Sequence, residues 1–191
     1  MNRRDAVKSV AVLMGGALSA STLSVMLDGC QTEARKGHGA KFTDDEQKMV
    51  HAMADVIIPR TDTPGAVDAG VPVFIVMMMQ ECYPDADQAQ FHDGLAAFDK
   101  RCRKRYGDPF LKLSPEKQET AVADLDKVVL GKEKDKDARE DLAFYRKLKE
   151  LTLLGFFTSE PGATKTLRYV QIPGRYDGCV PYKKGEKAWA T

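Results

Sequence analysis

An all-α bundle of about five helices, ending in a long irregular tail rich in glycine, proline and aromatic residues, is the fold the sequence predicts. Three observations carry it. Apolar residues recur at spacings of three and four along most of residues 43–157. Helix start and stop signals punctuate these runs, and strand signals are weak throughout. The last stretch changes character: Gly155, Gly162, Gly174, Gly178 and Gly185 are expected to break helix, and Pro161, Pro173 and Pro181 to set turns.

Each helix has its own signals. Thr43-Asp44-Asp45-Glu46 reads as a capping box opening the first, with Met49, Val50, Met53, Val56 and Ile57 on one face and Pro59 as the stop. Arg60 to Gly65 reads as a turn-rich loop. Pro72 suits the first turn of a second helix, and the unbroken apolar run Val73 to Met79 predicts burial on all sides. Its methionines are read as flexible core filling rather than a soft-metal site. A third helix is predicted over Asp85 to Tyr106, with Phe91, Leu95, Phe98 and Cys102 as its buried stripe and Gly107 as its cap. Ser114-Pro115 opens a fourth, whose inner face is Ala121, Val122, Leu125, Val128 and Val129. The alternating charges of Gly131 to Asp137 read as a solvated connector. A fifth helix is predicted over residues 138–157, with Leu142, Tyr145, Leu148, Leu151 and Thr152 inward and Phe144 and Leu154 widening that face.

Residues 1–30 stand apart. Arg3, Arg4 and Lys8 form a basic start, and Val10 to Leu27 is uncharged and weakly apolar. This is the layout of an export signal. The Arg3-Arg4 pair resembles the twin-arginine type, which implies a twin-arginine translocase as partner and a periplasmic destination. A plain membrane-anchoring helix is the alternative, since 18 uncharged residues just suffice to span. Leu27-Asp28-Gly29-Cys30 resembles a lipobox, leaving Cys30 either lipidated and membrane-attached or passive near a cleavage point. Residues 31–42 read as a polar linker and 43–191 as the folded domain. Beyond residue 30 the chain holds 26 basic and 26 acidic residues, the remainder of 29 and 28 after removing Arg3, Arg4, Lys8, Asp5 and Asp28. A neutral domain gives no reason to expect nucleic acid as a partner.

The four cysteines and three histidines form no Cys-x-x-Cys, which removes zinc ribbons and thioredoxin-type redox pairs. Neither a Gly-x-Gly-x-x-Gly after a strand nor a Gly-x-Ser-x-Gly occurs. His51 is read as structural or exposed, and His92 as solvent-exposed beside the Phe91 stripe. No catalytic, cofactor-binding or metal-ligating residue is therefore assigned. Six of the fifteen aromatic residues fall in the final 36 positions: Phe156, Phe157, Tyr169, Tyr176, Tyr182 and Trp189, with Arg168 and Arg175 among them. These residue types anchor interfaces, so the eight are the candidate partner surface. Outside the cytoplasm Cys179 is a candidate for a disulfide to Cys82 or Cys102. Cys82 and Cys102 themselves are about 25 Å apart along the predicted helix, too far to pair.

Two stretches carry a resemblance. Ala54-Asp55-Val56-Ile57-Ile58-Pro59-Arg60-Thr61-Asp62-Thr63-Pro64-Gly65-Ala66 is one. Leu151 to Glu160, Leu167-Arg168-Tyr169, Pro173 to Pro181 and Ala188-Trp189-Ala190 make up the other. Together they resemble the gluconate 2-dehydrogenase subunit 3 family over roughly residues 43–191. The resemblance implies a non-catalytic accessory subunit of a membrane-associated, FAD-dependent sugar or sugar-acid dehydrogenase. FAD would belong to the large subunit and not to this chain, and a cytochrome c subunit often carries electrons onward. The small subunit would assist maturation and export of the flavoprotein. A stand-alone periplasmic lipoprotein or binding module, and an independent enzyme, are the alternatives.

Overall fold

The computed structural model describes residues 41–129, 139–172, 174–175, 178–181 and 183–190. Every described residue lies in one compact unit, residues 39–191. Arg3, Arg4, Lys8, Cys30 and the 131–137 connector lie outside the described residues, as do Tyr176 and Tyr182.

Among the described residues five α-helices form the bundle: α1 (Asp44–Ile57), α2 (Val71–Cys82), α3 (Asp85–Tyr106), α4 (Pro115–Val129) and α5 (Arg139–Thr158). A 3-10 turn, Phe110–Lys112, joins α3 to α4, and a π-helical turn, Gly162–Thr166, follows α5. Helix α5 is the hub, packing against each of the other four. Its Phe144, Tyr145, Leu148, Leu151 and Phe156 are buried. The α3 stripe of Phe91, Leu95, Phe98 and Cys102 meets it and is at most 1% exposed. Aromatic rings tie the layers together: Phe91 sits edge-on to Phe144 at 5.9 Å, and Phe98 lies 5.1 Å from Phe110. Burial among these rings and the charge of Asp99 push the Cys102 thiol up to about 11, so it behaves as an apolar filler.

The capping signals operate as the sequence indicates. Thr43 and Glu46 form the reciprocal box, with the Thr43 amide donating to the Glu46 carboxylate at 2.8 Å and the Glu46 amide to the Thr43 hydroxyl at 3.3 Å. Gly107 closes α3 in the left-handed conformation (φ 88°).

Four expectations require correction. The first is α2, which is not buried all round. Val71, Pro72, Ile75 and Met79 face the core, while Val73 and Met77 are 75% and 50% exposed. Among the described residues α1, α3 and α5 are the helices that flank it, so its fourth side stays open. The second is Leu154, which turns outward at 47% exposure. The third is Gly155, which lies inside α5 without breaking it. A methyl there would sit 2.6 Å from the Phe74 ring, so glycine lets α2 approach closely without displacing that ring. The fourth is His92, whose side chain is 13% exposed, packs at a tilt against Phe42 with ring centroids 4.5 Å apart and donates to Glu46 at 2.8 Å.

Glu46 thus joins the α1 cap to α3. Burial raises its pKa, but the hydrogen bonds from Thr43 and His92 and the attraction of His92 outweigh that and hold it below the ordinary carboxylate value. A lowered folded-state pKa stabilises the fold above the unfolded value and is lost as pH falls through it. Glu46→Ala is expected to lose about 1–2 kcal/mol at neutral pH by urea unfolding. The gap to the parent chain is expected to narrow below pH about 4. An equal gap at both pH values would separate the cap from its charge.

Candidate partner-docking surface

The polar cleft at one end of the bundle is built from the two sequence stretches singled out above. The first is the α1–α2 loop. Pro59 ends the helical run, and the Asp68 carboxylate organises the loop beyond it. It accepts from Arg60 Nη1 at 3.1 Å and from the Gly65 amide at 2.9 Å. The Ala66 amide donates back to the Ile58 carbonyl at 2.8 Å. A side chain at Gly65 would meet the Arg60 amide nitrogen at 2.7 Å, so the loop closes only around glycine. Thr61 and Asp62 are left outward.

The second is the exit from α5. Ser159 Oγ donates to the Phe156 carbonyl at 2.6 Å and accepts from the Gly162 amide at 3.1 Å, easing the chain into the π turn. Loop and turn share a polar cavity of about 340 Å³, lined by Arg60, Thr61, Asp62, Thr63, Asp68 and Lys165 with both prolines, Pro64 and Pro161. In the sequence Arg60–Gly65 reads as a turn-rich loop within a stretch that carries the family resemblance, and nothing local marks its pairing with residues 161–165.

Beyond the π turn the chain doubles back. Arg168 and Trp189 form an isolated bridge: the Arg168 amide donates to the Ala188 carbonyl at 2.7 Å, and the Ala190 amide to the Arg168 carbonyl at 2.9 Å. The Arg168 guanidinium lies over the Trp189 ring at 4.6 Å and pairs with Glu186 at 3.1 Å. Lys187 Nζ also donates to the Lys165 carbonyl.

The eight candidate interface residues therefore divide. Phe156 is 2% exposed and belongs to the core. Phe157 is 42% exposed on α5, packed edge-on to Phe156 at 5.2 Å. Tyr169, Arg175 and Trp189 are exposed, Trp189 at 50% although the Arg168 guanidinium lies over its ring. The apolar exposure also includes residues that an aromatic count does not single out: Leu153 and Leu154 on α5, and Val170, Ile172 and Val180 beyond it. Ile172 is 81% exposed. Large exposed apolar groups on one segment are the mark of an interaction surface. A separate groove of about 510 Å³ lies between α1 and α2, lined by Gln47, Lys48, His51, Pro72, Val73 and Val76 together with Asp44.

Cys82, Cys102 and Cys179 are free thiols; Cys82 and Cys179 are exposed, and Cys102 is buried. Of the two pairings considered, only Cys82 with Cys179 joins two accessible sulfurs. Among the described residues, no three His, Cys, Asp or Glu side chains cluster to hold a metal ion. No helix of the described residues is long and apolar enough to cross a membrane.

The family model for gluconate 2-dehydrogenase subunit 3 matches residues 44–174. This chain belongs to that family. The match covers α1 through the π turn and Arg168, and so includes both walls of the polar cleft. No curated protein and no solved structure matches the chain. Membership in the subunit 3 family points to an accessory subunit associated with a gluconate 2-dehydrogenase-like complex.

Proposed function

We propose that this subunit 3 family member is an exported, non-catalytic accessory subunit that binds the FAD-carrying large subunit of a sugar or sugar-acid dehydrogenase and assists its maturation and export. The observation that carries the reading is the exposed apolar set on one C-terminal segment, Leu153, Leu154, Phe157, Tyr169, Val170, Ile172 and Val180, in a chain of this family. Such surface requires cover, and a large subunit that folds around its cofactor supplies it. A twin-arginine translocase accepts folded cargo, so one signal beginning at Arg3-Arg4 serves two bound chains. The complex then sits in the periplasm, held at the membrane through its other subunits or through a lipid on Cys30, and a cytochrome c subunit takes the electrons. A disulfide from Cys179 to Cys82 would form after export. Affinity purification of this chain from its native cell tests the reading. Recovery of an FAD-containing protein with it is the expected result, and recovery of the chain alone would refute it.

A further inference from the structure

We infer that Arg168, Glu186 and Trp189 are positioning residues: they clasp residues 169–188 into a closed loop whose outward apolar side chains dock on an apolar, acid-rimmed surface of the flavoprotein subunit. The inference rests on the function proposed above and names the element that does the binding. Three kinds of contact meet at the base of the loop. They are the Arg168–Trp189 backbone bridge, the guanidinium stacked at 4.6 Å on the indole, and the 3.1 Å ion pair to Glu186. Twenty residues separate the two bridge positions. Among the described residues of this stretch there is no helix or strand, and loops of such length are uncommon and usually functional. Above the clasp the described residues, from Tyr169 through Ala188, are all exposed, including Tyr169, Val170, Ile172 and Val180. A loop that is fastened at its base yet buries none of these side chains is not folded for its own stability.

The charge identifies the rim of the partner. The loop carries Lys183, Lys184 and Lys187 besides Arg175, against Asp177 and Glu186; with Arg175 set aside and Glu186 paired to Arg168, cations are still in excess. A surplus of cations around apolar side chains fits an apolar depression edged by carboxylates. The clasp contributes by ordering the loop before encounter, which lowers the entropy lost on binding.

Trp189 is the only tryptophan, so its fluorescence reads the clasp in the free chain. Arg168→Met is expected to change the emission and iodide quenching of Trp189 while the helical circular dichroism and the melting transition stay as in the parent. Binding is then measured on the full chain re-associated with the FAD subunit released from the native complex. Trp189→Ala and Arg168→Met are each expected to weaken it by about tenfold to a hundredfold, with Trp189→Phe recovering most of the loss. Ile172→Asp, at a site too exposed to affect folding, is expected to weaken it at least as much. Affinity is expected to fall as salt rises. Unchanged Trp189 fluorescence in Arg168→Met would remove the clasp and with it the inference. A clasp that responds while all variants bind like the parent would overturn the inference and leave the accessory role standing. A parent chain that binds no FAD subunit would sink both. Binding of the parent to phosphatidylglycerol-containing vesicles that Ile172→Asp abolishes, with flavoprotein binding unaffected, would assign the loop to the membrane and also overturn it.

Discussion

Gly94→Ala is expected to destabilise the bundle by about 1–3 kcal/mol, against the sign of the usual helical substitution. An exposed mid-helix glycine replaced by alanine ordinarily gains about 1 kcal/mol from backbone entropy alone. Gly94 is different because it is buried on α3 where α3 crosses α5. A methyl at this position would stand 2.5 Å from Cβ, Cγ and Cδ1 of Phe144. Phe144 is fully buried and ringed by Phe91, Phe98 and Tyr145, so it has no space to retreat. Its Cβ is fixed by the backbone of α5, so a change of rotamer does not relieve the clash. Gly155→Ala provides the comparison. Its added methyl meets Phe74 at 2.6 Å, but the contact is with the ring, and Phe74 is only partly buried and free to swing. Its loss is expected to be the smaller. Urea unfolding of the two variants beside the parent settles both points, and a Gly94→Ala chain as stable as the parent would mean the helices separate more readily than this packing allows.

Replacing Arg3 and Arg4 together by lysine is expected to hold both this chain and its flavoprotein in the cytoplasm. Lysine keeps the charge and loses the planar, multi-donor guanidinium, so the substitution tests recognition of the pair rather than charge alone. Cell fractionation with detection of both proteins, and of dehydrogenase activity at the periplasmic face, reads the outcome. Retention of this chain with normal export of the flavoprotein would contradict carriage. Export of both would remove the twin-arginine assignment.

Most of the bundle is legible in the sequence because its signals are local. The stripe Phe91, Leu95, Phe98 and Cys102, closed by Gly107, marks α3 over the range observed, Asp85–Tyr106. Ser114-Pro115 likewise marks the start of α4. The features that escape it depend on neighbours distant in the chain. Gly155 reads as a breaker until Phe74 is seen against it. His92 reads as exposed until Glu46, 46 positions earlier, is seen to accept from it. Val73 and Met77 read as core because composition does not reveal that, among the described residues, one side of α2 has no helix over it. The candidate surface is legible as a segment and not as a geometry. An aromatic count finds residues 156–189, but it does not separate buried Phe156 from exposed Phe157, nor Trp189 in the clasp from Ile172 on the outside.

On the function proposed above, this subunit serves to hold a flavoprotein. Purifying the tagged chain from the periplasmic and membrane fractions of its native cell, and measuring flavin and polypeptide content together, addresses it most directly. The expected result is one FAD-containing large subunit per copy of this chain, lost when Phe157 and Ile172 are both replaced by aspartate. A flavin-free monomer from the parent chain, with the dehydrogenase exported normally in its absence, would contradict it.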